Sequence, residues 1–182
     1  MLRRLARVCT RKIYDKFVEE AVKRFNAVKV GNPLDPATQM GSQIDAKQVA
    51  KIASYIDIAK AEGAAVACGG HKLTENGLDK GNFFAPTLIT NVTNDMRVAR
   101  EEIFGPVAVV IKFKDEAEVV KMANDSNYAL AAQYGRRILT APSVWQKPCR
   151  RAECGLTPTM LFRQAHRLAV IKNRALAAKR IK

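Results

Sequence analysis

The sequence predicts an α/β fold, and three observations carry that expectation. Amphipathic helical patterns alternate along the chain with short apolar runs. Loops rich in Gly and Pro punctuate each change of period. One block, Arg100-Glu101-Glu102-Ile103-Phe104-Gly105-Pro106, feeds directly into the apolar run Val107-Ala108-Val109-Val110-Ile111. A polar loop entering a buried strand is a place where α/β enzymes keep ligand-contacting side chains.

The elements follow in order. Ile13, Phe17, Ala21 and Phe25 recur every four residues and predict a first helix with one apolar face. Val30-Gly31-Asn32-Pro33-Leu34-Asp35-Pro36, followed by Met40-Gly41, predicts a loop. A second helix is expected from about Ala46 to Glu62, burying Val49, Ile52, Ala53, Ile56 and Ala59, with Gly63 as its stop. Ala64 to Cys68 predicts a short strand ending at Gly69-Gly70, and Asp115 to Asp125 a third amphipathic helix. In that helix Asp115, Glu116 and Glu118 fall in the first turn, where carboxylates favour the dipole.

The charge is unevenly placed. The 182 residues carry a net charge of +14, as a phosphate-binding protein would. Residues 11–132, however, hold 16 basic and 16 acidic groups. The whole excess lies in residues 1–10, with three arginines, and residues 133–182, with twelve basic groups against one acid. Those ends lack a structural logic. Arg136-Arg137 interrupts an expected buried strand, and Pro142, Pro148 and Pro158 are scattered. Cys149 and Cys154 have no further Cys or His at metal-ligand spacing. The stretch from Leu161 to Lys182 reads as an exposed basic helix or as disordered chain.

Several motifs together resemble the NAD(P)-dependent aldehyde dehydrogenase family. Glu101 to Val107 is similar to its glutamate-rich EEIFGPV signature, residues 30–41 to its VGxPxD segment, and Phe83-Phe84-Ala85-Pro86-Thr87 to its YFxPT element. The resemblance covers roughly Arg11 to Ala132. It implies a partial catalytic domain, an incomplete Rossmann-like α/β sheet with flanking helices. In the family the second glutamate holds the ribose beside the nicotinamide and the phenylalanine packs close to the ring, so by resemblance those cofactor-binding roles fall on Glu102 and Phe104. The implied reaction is oxidation of an aldehyde to a carboxylic acid with NAD or NADP.

A shift of reading frame accounts for the ends. With the third base of each codon joined to the first two of the next, and third bases chosen synonymously, residues 133–182 can be re-read as a string containing VNTYN and PFGGYKKSG, both family motifs. With the opposite offset, Met1 to Thr10 can be re-read as CSAGSRVFVQ, the stretch that opens with the family's nucleophilic cysteine. The expected organisation is therefore an off-frame head (1–10), a catalytic-domain fragment (11–132) and a basic off-frame tail (133–182), encoded by a disrupted gene. The arginine-rich start otherwise resembles a mitochondrial presequence. No apolar run is long enough for a membrane span and no secretory signal is present, so the expected compartment is the cytoplasm.

The family's chemistry needs a cysteine nucleophile, a glutamate base and oxyanion donors. No motif for these, nor a Gly-rich dinucleotide turn, occurs in the sequence, so no catalytic residue is assigned and the fragment is expected to bind no cofactor by itself. Cys9 lies beside Arg7, Arg11 and Lys12, and nearby cations lower a thiol pKa. Cys68 reads as a small buried hydrophobe, His71 as solvent-facing, and no metal site is assigned. A basic tail binding nucleic acid or acidic partners is the alternative; it has charge but no stacking platform or recognised motif. The aldehyde is the family's substrate, and normal homo-oligomers are not expected. Two arginines in a buried strand cost several kcal/mol, about the stability of a small domain, so a marginal, aggregation-prone fragment is anticipated.

Overall fold

The computed structural model describes residues 5–125, 132–135 and 154–157, with side chains for residues 9–125. The chain divides between Lys114 and Asp115 into two compact units.

The first unit is a mixed four-stranded sheet with helices. Its strands are β1 (Leu5–Thr10), β2 (Ala65–Cys68), β3 (Thr87–Thr90) and β4 (Val107–Phe113), in the order β1-β4-β3-β2. β1, β4 and β3 run parallel, and β2 joins the edge antiparallel with a bulge between Val66 and Cys68. All four residues of β3 are buried, as are Ala108 through Ile111 of β4, the continuous burial expected of parallel strands covered on both faces. The predicted strand at 107–111 is thus present and two residues longer.

The helices are α1 (Tyr14–Asn26), α2 (Ala46–Ala61) and the short α3 (Arg97–Arg100). α1 packs on β1, β2 and β3. There Phe17, Val18, Ala21, Val22 and Phe25 close over Cys9, Tyr14, Leu88, Ala108 and Val110. Ile13 departs from the expected stripe. It falls in a 3-10 turn before the helix and is 56% exposed, while Tyr14, the first α1 residue, takes the buried place. α2 lies against β2 and α3. It buries Val49, Ile52, Tyr55, Ile56 and Ala59, and full burial of an isoleucine is worth roughly 1.5–3 kcal/mol. Tyr55 is the unforeseen member, and Ala53 is only half-buried. Gly63, at φ 89°, stops α2: the Ala64 amide donates to the Ala59 carbonyl at 2.8 Å across it, a bond that needs a left-handed residue there. Thr87 is the polar group at the centre of the core. Its hydroxyl donates to the Ala85 carbonyl and accepts from the Gly70 amide, both at 2.8 Å, so it is satisfied.

The second unit holds α4 (Glu116–Asn124) and a parallel pair, β5 (Ala132–Gly135) with β6 (Cys154–Thr157). The Asp115 carboxylate caps α4 by accepting from the Glu118 amide at 2.9 Å. Arg136-Arg137 and the expected basic helix over 161–182 lie outside the described residues. No described helix is long and apolar enough to cross a membrane.

The sheet positions the acidic–aromatic block. β1 begins at Leu5 opposite Ala108, and the Thr87 amide donates to the Pro106 carbonyl at 2.8 Å. Residues 101–106 therefore sit where β1, β3 and β4 all start. That is the amino end of the parallel strands, the opposite end from the carboxyl edge that open α/β sheets commonly use.

Candidate active-site loop

The loop from Glu101 to Pro106 leaves α3 and is fixed by side chains of α2. Gln48 reaches it first. Its amide Nε2 donates to two successive carbonyls, Ile103 at 2.8 Å and Phe104 at 2.9 Å. Ile103 is buried. At Gly105 a Cβ would come within 2.5 Å of Ile52 Cδ1 and 2.6 Å of Cγ1, so the loop passes over α2 at a distance only glycine allows.

Phe104 is held in the left-handed region at φ 57°, and the residue is 55% exposed. A bulky side chain there is strained by about 1–3 kcal/mol. Two hydrogen bonds from Gln48, each worth about 0.5–1.5 kcal/mol net, are of the size needed to offset it. The Lys51 ammonium lies 5.6 Å from the centre of the Phe104 ring and 5.9 Å from that of Tyr55, adding a cation–π contact worth about 0.5–1 kcal/mol at an exposed site.

The two adjacent glutamates have different surroundings. Glu101 forms a bidentate pair with Arg97, at 2.9 and 3.0 Å, and accepts from the Tyr55 hydroxyl at 2.6 Å. The Arg97 guanidinium first, and the Tyr55 hydroxyl second, hold its carboxyl down at about 2. Arg97 is fixed in turn, its backbone amide donating to Glu62 at 3.0 Å. Glu102 is half-buried, and among the described residues its carboxylate takes no hydrogen bond or ion pair. One carboxylate builds the loop and the next is left over.

The other sequence candidates lie elsewhere. Cys9 is a buried residue of β1, and burial raises its thiol pKa, which reverses the lowering expected from its basic neighbours. Cys68 is half-buried and its thiol is also pushed up, by burial. His71 is exposed, as expected, with Nδ1 3.1 Å from the Gly69 carbonyl. Gln48, Lys51 and Tyr55 were not singled out from sequence. The signal for Gln48 was the spacing Asp45-x-x-Gln48, that of a helix capping box, and it points to a helix start rather than to a partner 55 residues away.

A mixed sheet whose parallel strands all start beneath one clamped, acidic and aromatic loop defines part of an α/β catalytic domain. Comparison with known proteins narrows the class. The aldehyde dehydrogenase family model matches residues 5–149, and the chain belongs to that family. The match extends beyond Arg11 and Ala132 at both ends. Among curated relatives, a betaine aldehyde dehydrogenase of Brucella anthropi is 52% identical over 118 residues, covering 65% of this chain and 24% of the relative. One of Mesorhizobium japonicum is 51% identical over 120 residues, covering 66% and 25%. The chain thus spans about a quarter of these relatives' length. The betaine aldehyde dehydrogenase of Staphylococcus aureus, solved in complex with NAD+, superposes with a TM-score of 0.79 at 37% identity, covering 82% of this chain and 30% of that one. An aldehyde dehydrogenase of Bacillus cereus gives 0.76 at 36%.

Proposed function

We propose that this chain carries the nicotinamide-ribose half of an aldehyde dehydrogenase site, on Glu102 and Phe104, and by itself neither binds NAD(P) productively nor oxidises an aldehyde. The observation that carries the assignment is the asymmetry of the glutamate pair. Glu101 is engaged by Arg97 and Tyr55, whereas the Glu102 carboxylate has no partner among the described residues and so remains available to a ribose diol. Phe104, strained and exposed beside it, presents an aromatic face suited to a nicotinamide ring.

The register of the sheet supports the same reading. β1 starts at the end of the sheet where the loop lies, and in the family the nucleophilic cysteine stands just before that strand. Under the frame-shift reading Met1 stands in the place of that cysteine. Glu102 and Phe104 touch one end of a long cofactor, and contacts so few leave too little free energy to offset the entropy of association. We assign the frame boundaries to 10/11 and 132/133 and the compartment to the cytoplasm. The substrate class carried over is an aldehyde, betaine aldehyde being the one named for the relatives.

Equilibrium dialysis of the full chain against NAD tests the proposal. No saturable retention over a blank is expected. Saturable binding abolished by Glu102→Gln would keep the site and overturn its incompleteness, while saturable binding unaffected by that change would overturn the site itself. The codons around positions 1–11 and 130–136 test the origin of the ends: an uninterrupted family reading frame there rules out the frame shift.

A further inference from the structure

We propose that Gln48 is a positioning residue for the cofactor-facing loop: its side-chain amide, acting as a donor, sets the left-handed conformation that aims the Phe104 ring. This rests on the reading of Phe104 as a nicotinamide contact.

The local sequence sets a different expectation for this side chain. Asp45 is the N-cap of α2 and accepts from the Gln48 amide at 2.6 Å, which places Gln48 three residues into the helix. A Gln or Glu at that position ordinarily turns its side-chain oxygen back to the N-cap amide, and Glu does this at least as well, since its charge also favours the helix N-terminus. Here the side chain has another use. Nε2 donates outward to the Ile103 and Phe104 carbonyls, a two-point grip on the peptide units before and after Phe104, whose φ is 57°. Glutamate cannot make it, because an ionised carboxylate has no proton to give. The cap tolerates either residue, but the grip requires a donor.

The surroundings make the grip rigid. The Gln48 backbone is fixed by Asp45, Ile52 one turn along α2 blocks the space beneath Gly105, and Lys51 lies over the exposed Phe104 ring. Those contacts confine the loop from below and above, but among the described residues only Gln48 bonds the backbone carbonyls on either side of the Phe104 torsion.

Three variants of the full chain separate the donor from the other roles of this position. Gln48→Glu preserves the cap, Gln48→Met preserves length and packing, and Gln48→Lys restores a donor. The readout is the strong intraresidue contact between amide and Hα protons that NMR detects for a residue at positive φ, together with the contact between the Lys51 side chain and the Phe104 ring. Both signals are expected in the parent chain, lost in the Glu and Met variants, and retained with Lys. Amide signals across the rest of α2 are expected to stay in place. Retention of the Phe104 signature in the Glu and Met variants would overturn the inference, as would its loss in all three. None of these readouts involves a cofactor, so failure of the nicotinamide assignment in dialysis and failure of the Gln48 assignment here are distinct results.

Discussion

Two loops of the first unit make an instructive pair. Residues 29–45 and 101–106 both join regular elements, and both expose apolar side chains: Leu34 and Ile44 are 88% exposed and Phe104 55%. They are held by different means. The first loop is tied mainly within itself. Asn32 Oδ1 accepts from the Leu34 amide and Asp35 Oδ1 from the Ala37 amide, while Lys29 bonds Gln39 and Met40. The second is held from outside, by Gln48, Ile52 and Tyr55 of α2, 46 to 56 residues away for the hydrogen-bonded pairs. A self-tied loop closes a connection; a loop clamped by a packed helix can keep a strained side chain in one orientation, as a binding site requires.

The contrast can be broken most severely at glycine. Gly105→Ala places a methyl against buried Ile52 and should cost about 1–3 kcal/mol by overpacking, whereas Gly41→Ala, with its nearest neighbour at 3.7 Å, should leave the melting temperature almost unchanged. Thermal unfolding of both variants checks this. If both are silent, the clamp is looser than the geometry implies.

A smaller effect is expected from acid. The Glu101 pKa is depressed in the folded chain to about 2, so its ion pair contributes stability that is present above the ordinary carboxylate value of 4.5 and is lost as pH falls toward 2. Its side chain is 39% exposed, so solvent screening keeps the contribution modest. Amide protection over residues 97–106, corrected for intrinsic exchange, should fall across that window in the parent chain, with the step absent in Glu101→Gln. An identical step in the variant would assign it to another group.

The least effect is expected from Asn32→Ala. It removes one exposed side-chain bond within the self-tied loop, for a loss of about 0.5–1 kcal/mol or less, and should leave the Phe104 amide-to-Hα signal untouched. A change at Phe104 would mean that the two loops are coupled.

The same contrast explains what the sequence disclosed. Turn chemistry is local, so Gly31, Asn32, Pro33 and Asp35 announced the first loop, and the period of Val49, Ile52, Ile56 and Ala59 announced α2. Glu102 and Phe104 were legible only through resemblance, because nothing adjacent to them distinguishes a free carboxylate from an engaged one. Of the partners that make the distinction, Arg97 lies four residues from Glu101 but does not mark which glutamate it pairs, while Tyr55 and Gln48 sit 46 to 56 residues away and carry ordinary helical side chains. Ile13 failed for a related reason: periodicity gives the face of a helix but not its first residue, and the helix began one position later.

We propose that the chain presents the nicotinamide-facing loop of an aldehyde dehydrogenase and has no dehydrogenase activity by itself. The most direct test is NADH formation by the purified full chain with NAD and betaine aldehyde, read against the same mixture without aldehyde. No aldehyde-dependent signal is expected. Sustained aldehyde-dependent turnover that disappears in Glu102→Gln and in Phe104→Ala would contradict the proposal.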